Sequence, residues 1–179
     1  MTTAFEGDTV FRDAIHGLEG GDFSRLEPLF EGDVALSGNR PKIIEWYEEE
    51  RLANQPRALA EALTCACFLG KTGVAEYLLT RGVDPSGGFG TGLNALHWAA
   101  NRGQLEAVRL LLRYKAPLET RSMYDGTALG TAVWSAVHEP RGNQLQIIEE
   151  LLDAGASLEE AEYPSGSLAV DAILRKHGA

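Results

Sequence analysis

The chain has 179 residues, of which 44 % are hydrophobic, and it carries a formal net charge of −10. A hydrophobic share of this size is typical of a folded chain, and the length suits one domain or a short array of small units. The excess of 26 acidic over 16 basic residues argues against nucleic acid or membrane as the main partner, because both attract Lys and Arg. Two cysteines exclude a disulfide framework and an all-cysteine zinc site. The first residues contain no signal-peptide pattern, so we expect a cytoplasmic protein.

The N-terminal part of the chain predicts a pair of short helices joined at Gly20–Gly21. Apolar residues recur at helical spacing on both sides of this glycine pair, which indicates two amphipathic segments packed against each other. They are Phe11, Ala14, Ile15 and Leu18 before the pair, and Phe23, Leu26, Leu29 and Phe30 after it.

A further helix is predicted over residues 39–56, where Pro41 suits a first helical turn. Residues 45–50 read EWYEEE, so this helix is both acidic and aromatic. Residues 1–56 hold 12 acids against 5 bases, whereas residues 57–179 hold 14 against 11. The acidity is therefore concentrated at the N-terminal end, where we expect a basic partner to be attracted first.

The remainder of the chain is periodic. Gly70 and Gly103 are 33 residues apart. Three leucine pairs repeat with steps of 33 and 40 residues: Leu78–Leu79, Leu111–Leu112 and Leu151–Leu152. The longer step is explained by an insertion at residues 137–143, between the two helices of that unit. A fixed period of this length is typical of a solenoid of stacked repeats.

The central unit identifies the kind of repeat. Residues 92–112 read GLNALHWAANRGQLEAVRLLL. This stretch resembles the ankyrin repeat pattern G-x-T-P-L-H-x-A-A-x-x-G-x-x-E-x-V-x-L-L-L, and the resemblance extends over about Arg57 to Ala179. It implies an all-α solenoid of about four helix-turn-helix units with short hairpin fingers, an inserted helix and a C-terminal capping helix.

In this frame the chain forms a single domain over residues 1–179. Its expected parts are a degenerate repeat (9–38), the inserted helix (39–56), a first repeat (57–86), a second repeat (87–120), a third repeat with the insertion (121–160), and a C-terminal cap (161–179). Asn94 and Thr127 are residue types that cap helix N-termini. In the family, a histidine placed like His97 braces the turn, and Gly130 removes this brace from the third repeat. Lys115 stands at the glycine position after the second helix, where a positive φ would cost about 1 kcal/mol.

No motif of catalysis or of metal binding stands out. Cys65 and Cys67 lie two residues apart on a predicted helix, where they do not share a face, and we interpret them as core residues. None of the four histidines has the spacing of metal ligands. The glycine-rich stretch 87–92 lacks the Lys and Ser/Thr that follow a phosphate-binding loop, and it coincides with a finger. We therefore expect no catalytic residue, no metal and no cofactor.

The resemblance also indicates which residues contact a partner. Ankyrin repeats usually grip partners with the finger tips and with the two residues that follow the Ala-Ala pair. Carried over to this chain, these positions predict a partner-binding set of Phe89, Thr91, Asn101, Arg102, Met123, Tyr124, Trp134 and Ser135. Phe68 and Leu69 align with Asn101 and Arg102. The alternatives are that the inserted helix covers Phe68 and Leu69, and that the insertion 137–143 covers Trp134, since exposed apolar patches are uncommon in monomers.

These patterns favour a non-catalytic protein-protein interaction module that binds a protein partner through its concave face. The acidic surplus favours a partner with a basic surface. Two alternatives remain open at this point. The first is a homo-oligomer, in which another copy of the chain covers the apolar positions. The second is a small enzyme with an active site near the acidic residues 45–50.

Overall fold

The computed structural model describes residues 3–36, 38–88 and 90–179, with side chains from residue 9 onward. These residues form ten α-helices and two 3₁₀ helices, with no strand among them. The α-helices are α1 (Thr3–Gly20), α2 (Phe23–Leu26), α3 (Lys42–Glu48), α4 (Pro56–Leu69), α5 (Thr72–Thr80), α6 (Ala95–Arg102), α7 (Leu105–Arg113), α8 (Ala128–His138), α9 (Gln144–Asp153) and α10 (Leu168–Lys176). The 3₁₀ helices are Glu27–Phe30 and Leu158–Glu160. The all-α solenoid expected from the sequence is confirmed.

The helices form two layers. The first helices of successive repeats, α4, α6 and α8, pack against one another, and the second helices, α5, α7 and α9, form a parallel row behind them. Alanines such as Ala66, Ala99 and Ala132 are buried on the first helices, so their small side chains let neighbouring repeats approach closely. The continuous core lies between the two layers, and each repeat is stabilised by its neighbours.

Local signals fix where the first helices begin. The Asn94 side chain accepts a hydrogen bond from the backbone N–H of His97, 3.1 Å away, and the His97 ring in turn lies within 3.4 Å of the Asn94 backbone nitrogen. This reciprocal arrangement is a capping box. Thr127 caps α8 through the N–H of Gly130 at 3.3 Å. Both predicted caps are therefore confirmed.

His97 also braces the next turn, as the resemblance implies. Its Nε2–H donates to the carbonyl oxygen of Gly126 at 3.0 Å, which ties the second repeat to the finger of the third. Gly130 has no side chain to repeat this contact. Arg121 provides a different brace there, since it donates to the Asp125 carbonyl at 2.7 Å and to the Glu160 carboxylate at 2.6 Å.

One position per repeat carries a polar link to the preceding repeat. The amide of Gln104 donates to the carbonyl of Phe68 at 3.4 Å, and the amide of Gln144 donates to the carbonyl of Asn101 at 3.1 Å. The corresponding residue of the first repeat is Lys71, which forms ion pairs with Glu31 at 2.5 Å and Glu27 at 3.6 Å. The two glutamine links satisfy carbonyl groups that helix C-termini leave open, whereas the Lys71 link is an ion pair between side chains.

The inserted segment contributes a core helix. In α3, Ile43, Ile44 and Trp46 are fully buried, and the Trp46 ring meets Phe11 edge-on at 5.1 Å between centroids. The ring contact joins α3 to α1, and α3 also packs beside the 3₁₀ helix Glu27–Phe30. Glu48, the last residue of α3, and the following Glu49 and Glu50 are exposed, so the acidic side chains of this segment lie at the surface while its apolar side chains are buried.

The connections between repeats are turns. Met123 donates its backbone N–H to the carbonyl of Gly92 at 2.8 Å, so adjacent fingers are joined. Lys115, at the glycine position after α7, has a left-handed backbone with φ of 57°. Gly103, with φ of 73°, is approached so closely by the Gly142 carbonyl that an added Cβ would lie 2.6 Å from this oxygen. The insertion 137–143 therefore folds back onto the loop between α6 and α7.

The C-terminal helix α10 packs against α9 through Val170, Ile173 and Leu174, and it carries Arg175 and Lys176 in its last turn. These cations suit the negative end of the helix dipole. In the part of the chain that the structure describes, no helix combines the length and apolar character needed to cross a bilayer.

Candidate protein-binding surface

A cavity opens on the face of the first-helix layer where α6 and α8 meet the finger of the third repeat. Its volume is about 620 Å³, which lies in the usual range of ligand clefts. We call it the α8 cavity. Its walls are mostly apolar, and it is lined by Leu93, Asn101, Ser122, Tyr124, Gly126, Gly130, Thr131, Val133, Trp134, Glu160 and Glu162.

Trp134 is the main aromatic wall of the α8 cavity. Its side chain is 47 % exposed, and one ring face stacks on His138 with 4.9 Å between centroids and 19° between planes. His138 is the last residue of α8, and its Nδ1 lies 3.0 Å from the Trp134 carbonyl oxygen. His138 of the insertion 137–143 covers one face of the Trp134 ring, whereas Arg141 and Gly142 pack on the loop between α6 and α7. Nearly half of the Trp134 side chain remains open to solvent.

The third finger supplies the second aromatic group. Tyr124 is 73 % exposed and Met123 is 67 % exposed, although the finger backbone is held in place. The Tyr124 N–H donates to the Ser122 hydroxyl at 3.2 Å, and the Ser122 N–H donates to the Gly126 carbonyl at 2.9 Å. Tyr124 lines the cavity, whereas Met123 lies beside it against Gly92. Fixed backbone and free side chains are a suitable combination for presenting contacts.

Asn101 forms part of the cavity wall and is held there by Ser135. The Asn101 amide donates to the Ser135 hydroxyl at 2.9 Å, and Asn101 is half-buried at the cavity wall. Ser135 is fully buried. It fixes the orientation of Asn101 from inside the stack, so it is not part of the surface proposed below.

The rim of the cavity is acidic. Arg121 lies between Glu160 at 2.6 Å and Asp125 at 3.3 Å. Glu162 is exposed and lies at the opening, and it forms no ion pair with the residues that the structure describes. The one arginine at this rim is thus already shared between two carboxylates.

The equivalent residue of the first repeat, Phe68, is half-buried. The Phe68 ring meets Phe23 at 5.6 Å and Trp98 at 5.0 Å between centroids, both edge-on. Phe23 lies in α2 and Trp98 in α6, so both ring partners come from elements other than the inserted helix. The guanidinium of Arg102 lies 4.7 Å from the Phe68 ring centroid. Burial, with a smaller contribution from nearby Arg141, lowers the pKa of the Arg102 side chain.

Two predicted contacts lie in the second finger. Thr91 is half-buried, and its hydroxyl accepts a hydrogen bond from the Trp98 indole at 2.6 Å. It therefore anchors the finger to α6. Phe89 lies outside the described residues. Gly90 beside it donates its backbone N–H to the buried carboxylate of Glu61. The structure thus brings Asn101, Tyr124 and Trp134 together in one cavity and places Thr91 and Arg102 outside it.

The side chains that could act as a nucleophile or as a general acid are held in structural contacts. Cys65 and Cys67 are free and buried, and burial raises the pKa of both thiols, that of Cys67 to about 12. Glu48 accepts hydrogen bonds from Tyr77 and Arg40, each at 2.6 Å, and these contacts lower its pKa. A general acid needs the opposite shift. Among the described residues, His, Cys, Asp and Glu form no group of three suited to hold a metal ion.

The predicted partner-binding set contains three of the eleven cavity residues and omits the other eight, among them Leu93, Thr131, Glu160 and Glu162. Thr131 could have been predicted from the sequence, because it precedes Trp134 by one helical turn and therefore lies on the same face of α8. The two glutamates lie in the connection to the C-terminal cap, where no periodic pattern indicates which way a side chain points.

The comparisons with known proteins agree with this architecture. A sequence model described as ankyrin repeats (3 copies) matches residues 63–161, which is more than half of the chain. No curated protein matches the chain. Ankyrin repeats are generally protein-protein interaction modules, and the family is typically non-catalytic. With two helical layers, capped first helices and three matched repeats, the chain belongs to the ankyrin repeat family.

Proposed function

We propose that this protein binds a partner protein without catalysing a reaction, through the first-helix face and the finger tips, with the α8 cavity at the centre. The observation that carries the proposal is the pair of open aromatic side chains, Trp134 and Tyr124, on one cavity of about 620 Å³. Exposed apolar surface of this kind marks interaction sites, and aromatic residues dominate the energetics of protein interfaces.

Rigid presentation supports binding. The finger that carries Tyr124 is joined to the second finger through Met123 and Gly92, and it is braced by His97. The helix that carries Trp134 is capped by Thr127. Because these elements are already ordered, little conformational entropy is lost when a partner docks.

The charge of the chain favours a partner with a basic surface. The net charge of −10 speeds the encounter with such a partner at low salt. Asn101 and Met123 add polar and apolar contacts next to the aromatic pair. Arg102 and Thr91 contribute at the margin, since both side chains already contact other residues of the protein.

Both cysteines are free and buried, which suits the reducing environment of the cytoplasm.

The proposal is tested by quantitative capture from lysate of the source cells, followed by mass spectrometry. We expect the full chain to retain a partner that Trp134→Ala and Tyr124→Ala retain at least about tenfold less, since each is an anchor of the surface. Leu168→Ala is the matched control, because Leu168 is an exposed apolar residue outside the cavity. Equal retention by all four proteins contradicts the proposal.

Self-association is distinguished by light scattering of the purified chain. We expect a monomer at working concentration. A stable dimer that dissociates on Trp134→Ala means that a second copy occupies the cavity in place of a different protein.

A further inference from the structure

We infer that the α8 cavity receives an arginine side chain from a basic segment of the partner protein. The inference rests on the proposed function, and it assigns the chemical class of the occupant. Three properties of the cavity support this inference. Its aromatic side chains are exposed, its rim is acidic, and Gly130 has no side chain to keep the acidic segment around Glu160 away from α8.

The aromatic faces favour a planar cation. The Trp134 ring is half exposed and has His138 stacked on one side, and Tyr124 is largely exposed on the finger that faces it. A guanidinium group stacks on aromatic faces and is less strongly hydrated than an ammonium group. Arginine therefore loses less solvation than lysine when it enters such a site.

The rim supplies the complementary charge. The two segments that border the cavity, residues 119–127 and 158–163, contain five acidic residues and one basic residue, Arg121. Arg121 already pairs with Asp125 and Glu160. The carboxylate of Glu162 at the opening has no ion pair among the described residues, so it can accept hydrogen bonds from an incoming guanidinium group.

Gly130 brings this rim to the helix. An added Cβ at Gly130 would lie 2.8 Å from the backbone oxygen of Glu160. The absence of a side chain thus lets the 3₁₀ helix Leu158–Glu160 approach α8, and Glu160 and Glu162 reach the cavity for this reason. The volume of the α8 cavity also leaves room for residues that flank the arginine.

The test uses random-sequence peptides displayed on phage and selected against the full chain. We expect arginine to be enriched in the selected peptides, and the best peptide is then measured in solution by fluorescence anisotropy. Replacing its arginine by citrulline, which has nearly the same shape without the charge, should weaken binding about tenfold. Lysine in its place should weaken binding by a smaller factor.

Variants of the chain localise the site. Trp134→Ala should weaken the same peptide about tenfold, and Glu162→Gln should weaken it about threefold. Glu106→Gln, which removes an exposed carboxylate on α7, should leave the affinity unchanged. Trp134→Phe, which keeps an aromatic face and disturbs packing less, should retain most of the affinity.

The outcomes separate the two proposals. Peptides that bind and lose affinity with Trp134→Ala, yet show no arginine enrichment or prefer lysine, overturn the arginine assignment and leave the proposed function standing. A failure to select any peptide, together with equal capture of lysate proteins by the unmodified chain and Trp134→Ala, overturns both.

Discussion

Phe68 and Trp134 occupy equivalent positions in the first and third repeats, yet their surroundings are opposite. Phe68 is enclosed by Phe23, Trp98 and the guanidinium of Arg102. Trp134 has only His138 stacked on it and is 47 % exposed. At this position of the repeat, the aromatic residue of the first repeat packs against its neighbours, whereas the aromatic residue of the third repeat is exposed and available to a partner.

The reason for the difference lies in the neighbours. The degenerate repeat supplies Phe23 to the first repeat, and α6 supplies Trp98, so an edge-to-face chain of rings fills the first half of the face. The third repeat is followed by the 3₁₀ helix Leu158–Glu160 and by α10, which packs on α9. No ring from these elements covers Trp134 within the described residues, and the α8 cavity remains.

The largest effect is expected for Phe68→Ala. Loss of this ring removes two aromatic contacts and the surface on which Arg102 lies, so the free energy of unfolding should fall by about 3 kcal/mol. Urea denaturation of both proteins measures the change. A loss below about 1 kcal/mol would mean that the ring chain is not a stabilising element.

The second comparison concerns the caps of α6 and α8. Asn94→Ala removes a reciprocal capping box, whereas Thr127→Ala removes a single hydrogen bond. We expect losses of about 1–2 kcal/mol for Asn94→Ala and about 1 kcal/mol or less for Thr127→Ala. Thermal unfolding of the two variants ranks them, and the reverse order would show that the single hydrogen bond of Thr127 contributes more to stability than the capping box at Asn94.

A third effect depends on pH and involves only the second repeat, because Gly130 replaces the histidine in the third. Burial lowers the pKa of His97 below its usual 6.5. As the pH falls below about 6.5, the unfolded chain therefore binds a proton before the folded chain does, and stability decreases. Urea unfolding at neutral and mildly acidic pH should show this loss. In His97→Gln the loss should be smaller, with a lower starting stability, and an unchanged pH dependence would contradict the assignment.

Sequence reasoning was most successful where the determinants are local. The cap at Asn94 and the brace at His97 depend on residues a few positions away or on the repeat period, and both are confirmed. The partial burial of Phe68 involves Phe23, which is distant in the chain and belongs to the most degenerate repeat. No local pattern indicates such a contact.

The same reasoning explains what was missed at the cavity. Glu160 and Glu162 reach it because Gly130 leaves space for the 3₁₀ helix beside α8. In the sequence, Gly130 indicates only a missing brace. The residue set predicted for partner binding mixes three roles for a related reason: Trp134 and Tyr124 are open, Thr91 and Arg102 are partly engaged, and Ser135 is buried. Alignment to a repeat gives the position of a residue, whereas its exposure is decided by the neighbouring elements.

The most direct test of the central claim measures stability and binding together for Trp134→Ala. The account predicts that the free energy of unfolding changes by at most about 1 kcal/mol, while the affinity for the partner, or for the arginine peptide, falls at least about tenfold. A loss of stability of about 3 kcal/mol would place Trp134 with Phe68 as a packing residue. Unchanged affinity in a fully folded variant would contradict the α8 cavity as the binding site.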